Sequence, residues 1–175
     1  MLSQTNQVDQ RGLNKPVTPV CGLRLHLVMQ RRGRNAKPKL EVGMATILAI
    51  DDDPVFLAFL EKAIGQYYDV KTISDPRDAL EQARDLQPDL IVLDIEMPEL
   101  NGLDVFDALQ SDDSTVDIPV WMCTSLGDES TIALAYNRGS HDYVSKPLSA
   151  VAFKAKVDQH FRRGTRRTAQ TRIRK

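Results

Sequence analysis

The segment LIVLDIEMPELNG, Leu90–Gly102, decides the fold. Leu90-Ile91-Val92-Leu93 is a continuous apolar run with no polar alternation, bounded by turn signals, and it reads as a strand buried on both faces. It ends on a carboxylate, Asp94. Met97-Pro98-Glu99-Leu100-Asn101-Gly102 then forms a turn-rich loop, and apolar residues resume at Leu103, Val105, Phe106 and Leu109 as the next helix.

Three more runs behave in the same way. Ile47-Leu48-Ala49-Ile50 precedes Asp51-Asp52-Asp53, Val120-Trp121-Met122-Cys123 precedes Thr124-Ser125, and Tyr143-Val144-Ser145 precedes Lys146-Pro147. In an open parallel sheet, ligands bind at the carboxyl ends of the strands, so these four endpoints should converge in one crevice.

The intervening segments read as helices. Strands are expected at about Thr46–Ile50, Tyr68–Ile73, Leu90–Asp94, Ile118–Thr124 and His141–Ser145. Asp53-Pro54 and Asp75-Pro76 each combine an N-cap with proline in the first turn, where no backbone donor is wasted. Helical stripes follow at Phe56, Leu57, Leu60, Ala63 and Ile64, and at Ala79, Leu80, Ala83 and Leu86, which Pro88 ends. A fourth helix is expected from Asp128 to about Asn137, stopped by Arg138-Gly139, and a fifth from Ser149 to about Phe161. Five strand–helix units imply an α/β, doubly wound, five-stranded parallel sheet with helices on both faces.

Charge divides the 175 residues into three blocks. Residues 1–43 carry eight basic and two acidic side chains, and residues 44–161 carry eight basic and 22 acidic, a balance of −14. Residues 162–175 carry seven basic and none acidic. The middle block reads as the folded domain, 44–161, followed by a basic C-terminal tail, 162–175. Residues 1–43 read as a disordered basic leader, with one short amphipathic strand through Leu23, Leu25 and Leu27 as the alternative. A further reading takes Met44 as the true start and the leader as a misassigned extension. Cys21 and Cys123 fall in different blocks and suit neither a disulfide framework nor a metal knuckle. Cys123 is expected to be a small core residue. No apolar run approaches the length of a membrane span, and a cytoplasmic setting is the economical reading.

The four strand ends carry specific chemistry. Asp94 can act as a nucleophile that takes a phosphoryl group as an acyl phosphate, or it can merely cap a turn. Asp51 and Asp52 are paired carboxylates, and oxygen ligands of this kind suit Mg²⁺. Asp53 is better spent as the helix cap. Lys146 can neutralise a phosphoryl oxygen as a point charge, and Thr124 can donate a hydroxyl hydrogen bond to it. Lys146-Pro147 is a plausible cis peptide bond.

Over residues 45–161 the chain resembles the receiver domain of two-component response regulators, with its flavodoxin-like fold. The resemblance rests on ILAIDDDP (Ile47–Pro54), LIVLDIEMPELNG (Leu90–Gly102), Thr124-Ser125 and DYVSKP (Asp142–Pro147). It implies that Asp94 is phosphorylated by a histidine kinase or phosphotransfer protein. It also implies that Mg²⁺ is held by Asp52, Asp94 and the backbone carbonyl of Glu96, with Asp51 contributing indirectly. Thr124 and Tyr143 correspond to the switch pair, and Lys146 to the family's active-site lysine. Glu96 lies at a variable position thought to tune dephosphorylation. The expected signalling surface is the fourth helix, fifth strand and last helix, around Ala133–Lys156. The 14 residues after the last expected helix suggest a receiver without an output domain, acting by protein contact, with a phosphorylation-dependent dimer as an option.

Two other readings remain open at this stage. Asp51-Asp52-Asp53-Pro54-Val55 also fits the nucleophile motif of haloacid-dehalogenase-like phosphatases, in which Asp51 would be phosphorylated and Asp53 would be the general acid. Against it, only Asp158 follows the lysine where an acidic pair is expected, and Asp94 would have no role. The arginine-rich tail is either a solvated helix end or an electrostatic tether to nucleic acid or another polyanion. It has no aromatic residue for base stacking.

Overall fold

The computed structural model describes residues 23–28, 39–125 and 129–171. In chain order the elements are β1 (Leu23–Val28), β2 (Lys39–Met44), β3 (Thr46–Ile50), α1 (Pro54–Ile64), β4 (Asp69–Ile73), α2 (Ala79–Leu86), β5 (Leu90–Asp94), α3 (Gly102–Gln110), β6 (Val120–Ser125), α4 (Glu129–Asn137), β7 (Asp142–Lys146) and α5 (Ala150–Thr171). Strands β3 to β7 form a five-stranded parallel sheet in the order β4-β3-β5-β6-β7.

The uninterrupted apolar runs are explained by two cores. On one face Leu48, Ile50, Ile91, Leu93, Val120 and Met122 pack with residues of α2, α3 and α4, including Ala83, Val105, Phe106 and Ala135. On the other face Ile47, Ala49, Leu90, Val92, Trp121 and Cys123 pack with Leu57, Leu60 and Ile64 of α1 and with Phe153 and Val157 of α5. Successive residues along β3, β5 and β6 thus enter opposite cores, and these strands stay apolar until their carboxyl ends. Cys123 is a buried free thiol, as expected, and burial pushes its pKa up. Cys21 lies outside the described residues.

Caps set the helix starts. The Asp53 carboxylate accepts the Val55 N–H at 2.9 Å with Pro54 in the first turn, and Asn101 accepts the Leu103 N–H at 2.8 Å. At the end of α4, Gly139 has φ 97°, and its N–H and that of Ser140 donate to the carbonyls of Tyr136 and Ala135. This left-handed closure is one that glycine adopts without strain.

Several boundaries differ from those read in the sequence. Asp75-Pro76 starts a 3-10 turn, Pro76–Asp78, and α2 follows only at Ala79, because Asp75 accepts both the Arg77 N–H and its guanidinium. Tyr68 closes α1 through the Ile64 carbonyl instead of opening β4. β6 starts at Val120, since the Ile118 N–H turns back to Thr115. β7 is displaced by one residue, so Lys146 is its last member and pairs in register with Ser125. Asp128, read as the start of α4, lies outside the described residues.

The two charged ends also differ. Residues 23–28 and 39–43, within the stretch read as a disordered leader with a strand through Leu23, Leu25 and Leu27 as the alternative, pair together with Met44 as an antiparallel two-stranded sheet, with Leu23, Leu25 and Leu27 opposite Met44, Val42 and Leu40. Apolar residues thus share register positions across the pair, a pattern that favours strand over coil. The rest of the leader lies outside the described residues. α5 continues to Thr171, about ten residues beyond the expected stop near Phe161. Arginine is a good helix former, and no proline interrupts the segment. The final residues, 172–175, lie outside the described residues. Among the described residues, no helix is long and apolar enough to cross a membrane.

Candidate functional site

The carboxyl ends of β3, β5, β6 and β7 lie together along one end of the parallel sheet. Asp51 continues β3, its N–H still bonded to the Ile73 carbonyl of β4 at 3.1 Å, and its carboxylate is 1% exposed. Oδ1 of Asp51 accepts the Asp53 N–H at 2.9 Å, and Oδ2 accepts the Lys146 ammonium at 2.6 Å. Asp94 ends β5 at 4% exposure, and its Oδ1 lies 2.8 Å from the same ammonium. Lys146 therefore reaches from β7, past β6, to two buried carboxylates on β3 and β5. Its ammonium also sits 4.3 Å from the centroid of the Phe56 ring on α1, a cation–π contact. The Lys146–Pro147 bond is cis, as the sequence suggested.

Asp52 is exposed beside this pair. Carboxylate oxygens of Asp51, Asp52 and Asp94 all lie within 4.8 Å of one another. Three hard oxygen donors so close together repel, and they fit a divalent cation that prefers oxygen ligands and retains water. Thr124, near the end of β6, is fully buried one strand away from Asp94. Tyr143 on β7 is half-buried, with its ring edge-on to Tyr136 of α4 at 5.7 Å between centroids. Glu96 is exposed two residues past β5.

The electrostatics follow from this crowding. Burial raises the Asp94 pKa above its ordinary value; the Lys146 hydrogen bond opposes the shift, while Asp51 and Asp52 add to it. Burial alone would lower the Lys146 ammonium, but hydrogen bonds to Asp51 and Asp94 outweigh it and hold the group protonated. Because the folded Asp94 carboxyl is a weaker acid than the unfolded one, the fold loses stability as pH rises from the ordinary carboxylate range through the raised value. Asp94→Asn is therefore expected to unfold at a higher urea concentration than the parent at pH 7 without divalent cation. The gap should close below the ordinary carboxylate range. Equal midpoints at both pH values would show that the Asp94 charge costs the fold nothing.

Two close contacts here were not singled out from the sequence. Gly102 opens α3 directly against β5, and its N–H donates to the Ile95 carbonyl at 2.9 Å. A Cβ at this position would lie 1.9 Å from the Asp94 carbonyl oxygen. Phe56 was read only as part of a core stripe, yet it also faces Lys146. A glycine just inside a helix start, where it weakens the helix, was the available signal for Gly102.

The model of the response regulator receiver domain matches residues 47–158. The chain belongs to that family. The DNA-binding response regulator MtrA of Mycolicibacterium smegmatis is 36% identical over 118 residues, covering 67% of this chain and 50% of that protein. A probable cyclic di-GMP phosphodiesterase of Vibrio cholerae is 34% identical over 120 residues, covering 69% of this chain and 27% of that protein. The chain thus spans half or less of the length of these curated relatives. Among solved structures, the N-terminal domain of the nisin resistance regulator NsrR is 31% identical with a TM-score of 0.58, covering 65% of this chain and 94% of that one. The Vibrio cholerae chemotaxis protein CheY4, at 23% identity and a TM-score of 0.63, shares the fold, covering 67% of this chain and 98% of that one.

The protein therefore contains a receiver domain of a two-component response regulator. Receiver domains of this family bind Mg²⁺ at an acidic pocket and interact with histidine kinases or phosphotransfer proteins. In this chain Asp51, Asp52 and Asp94 form an acidic cluster at the carboxyl ends of the strands. The family assignment replaces the dehalogenase-like phosphatase reading.

Proposed function

We propose that this receiver domain is a phosphorylation-driven switch in which Asp94 accepts the phosphoryl group of a partner's phosphohistidine. The observation that carries this reading is the single ammonium of Lys146 bridging Asp51 and Asp94 at the mouth of the sheet. In the transfer, an Asp94 carboxylate oxygen forms the new P–O bond as the P–N bond to the histidine breaks, and the imidazole leaves with the electron pair. Asp52, Asp94 and the Glu96 carbonyl, with Asp51 indirect, would hold Mg²⁺, which would supply positive charge to offset that of the phosphoryl oxygens. Lys146 moves its contact from the Asp94 carboxylate to a phosphoryl oxygen, and the Thr124 hydroxyl donates to another. Both contacts exist only in the modified state, and that difference shifts the conformational equilibrium. Tyr143 follows Thr124 by turning inward, which changes the surface of α4, β7 and α5 that a downstream protein reads. A cytoplasmic setting suits a partner that carries phosphohistidine.

Acetyl phosphate with Mg²⁺ tests the assignment. The parent should gain one phosphoryl mass, and Asp94→Ala should lose the label completely. Label that survives Asp94→Ala but disappears in Asp51→Ala would overturn it.

A further inference from the structure

We propose that Lys156 is a positioning residue that holds Tyr143 in its unphosphorylated arrangement and ties it to α5; this rests on the switch reading above. Lys156 lies on α5 and is half-buried. Its ammonium donates to Asp142 Oδ1 at 2.9 Å and to the Tyr143 carbonyl oxygen. The same ammonium lies 5.4 Å from the centroid of the Tyr143 ring and 5.2 Å from that of Trp121. One cation thus engages the backbone and the ring of the switch residue together with the indole buried under α5.

A lysine ammonium is a compact, strongly hydrated charge that usually remains in water. Here it is instead spent on partners from two adjacent strands, β6 and β7. When the Tyr143 ring turns inward, the carbonyl and Asp142 contacts can persist, but the ring leaves the ammonium. It also leaves Tyr136, whose hydroxyl is 3.5 Å from Asp142 Oδ1. Lys156 therefore favours the unmodified arrangement by the ring contact alone, and only a contact that differs between two states can shift their balance. Trp121 packs edge-on against Phe153 and His160 of α5, so the same cation connects the switch residue to the centre of the α5 interface.

The test is the affinity for beryllofluoride in the presence of Mg²⁺, read by fluorine NMR so that changes in Trp121 emission do not interfere. Lys156→Met keeps the aliphatic stem and removes the cation. It should bind beryllofluoride about three- to tenfold tighter, the range expected for losing a partly desolvated cation–π contact from one state. Lys156→Arg restores a cation and should return affinity to within about twofold of the parent. In a Tyr143→Leu background, Lys156→Met should have no effect. Unchanged or weaker binding by Lys156→Met, or the same gain without the Tyr143 ring, would overturn the proposal. Urea midpoints confirm folding of each variant, and Lys156→Gln replaces Lys156→Met if the latter unfolds. Failure of the parent to bind beryllofluoride would instead remove the Asp94 assignment, and this proposal with it.

Discussion

Gly102→Ala is expected to destabilise the domain by about 3 kcal/mol, at the upper end of the cost of overpacking a core. For a domain of this size that is a fall in Tm of roughly 10 °C. The methyl group would sit 1.9 Å from the Asp94 carbonyl oxygen and 2.8 Å from both the Asp94 carbonyl carbon and Ile95 Cα. All three are backbone atoms, so no rotamer change relieves the clash, and either α3 or the end of β5 must move. Movement of the β5 end would also displace the Asp94 carboxylate from Lys146, so phosphorylation by acetyl phosphate should slow in whatever fraction remains folded. Thermal unfolding monitored by circular dichroism checks the first part and labelling kinetics the second. A variant as stable and as fast as the parent would mean that α3 can retreat freely from β5.

Lys146→Met is expected to produce a loss of similar size from a different cause. The substitution leaves Asp51 and Asp94, both almost fully buried, facing each other without the cation that now bridges them. Removing one partner of a buried ion pair costs about 3 kcal/mol at the lower end of its range, and the partial exposure of Lys146 favours that end. The cost should depend on pH. Burial already raises the Asp94 carboxyl, and without the ammonium its pKa should rise further. The variant should therefore recover towards the parent as pH falls and the carboxyl protonates, and lose stability as pH rises through that raised value. Millimolar Mg²⁺ should also restore much of the loss at pH 7, because a divalent cation can replace the missing charge. Urea titrations at two pH values, with and without Mg²⁺, separate these effects. A deficit that neither acid nor Mg²⁺ reduces would assign the role of Lys146 to packing against Phe56.

The legible part of the fold was the part in which local pattern and tertiary environment agree. β3 and β5 have the limits expected from their apolar runs, because both faces are buried and the first charged residue marks the end of each strand. At the edges the match loosens. β7, an edge strand, has a mixed burial pattern, and its limits are set by pairing with β6; Lys146 therefore falls inside the strand. Tyr68 has the composition of a strand residue, but its N–H is taken by the last turn of α1. The continuation of α5 past Phe161 had no apolar stripe to announce it.

The candidate site divides along the same line. The sequence by itself determined which side chains stand at the carboxyl ends of the strands, since a doubly buried strand can place a carboxylate, hydroxyl or ammonium only where it leaves the core. Asp51 and Asp94 follow from that rule, and Thr124 stands likewise near the end of β6. Tertiary structure alone decided which of them touch. That Lys146 bridges Asp51 and Asp94, that Gly102 lies against the Asp94 carbonyl, and that Lys156 grips Tyr143 each depend on the strand order β3-β5-β6-β7 and on where α3 and α5 cross the sheet. These contacts join residues distant in the chain, and no periodicity in the sequence records a distance across strands.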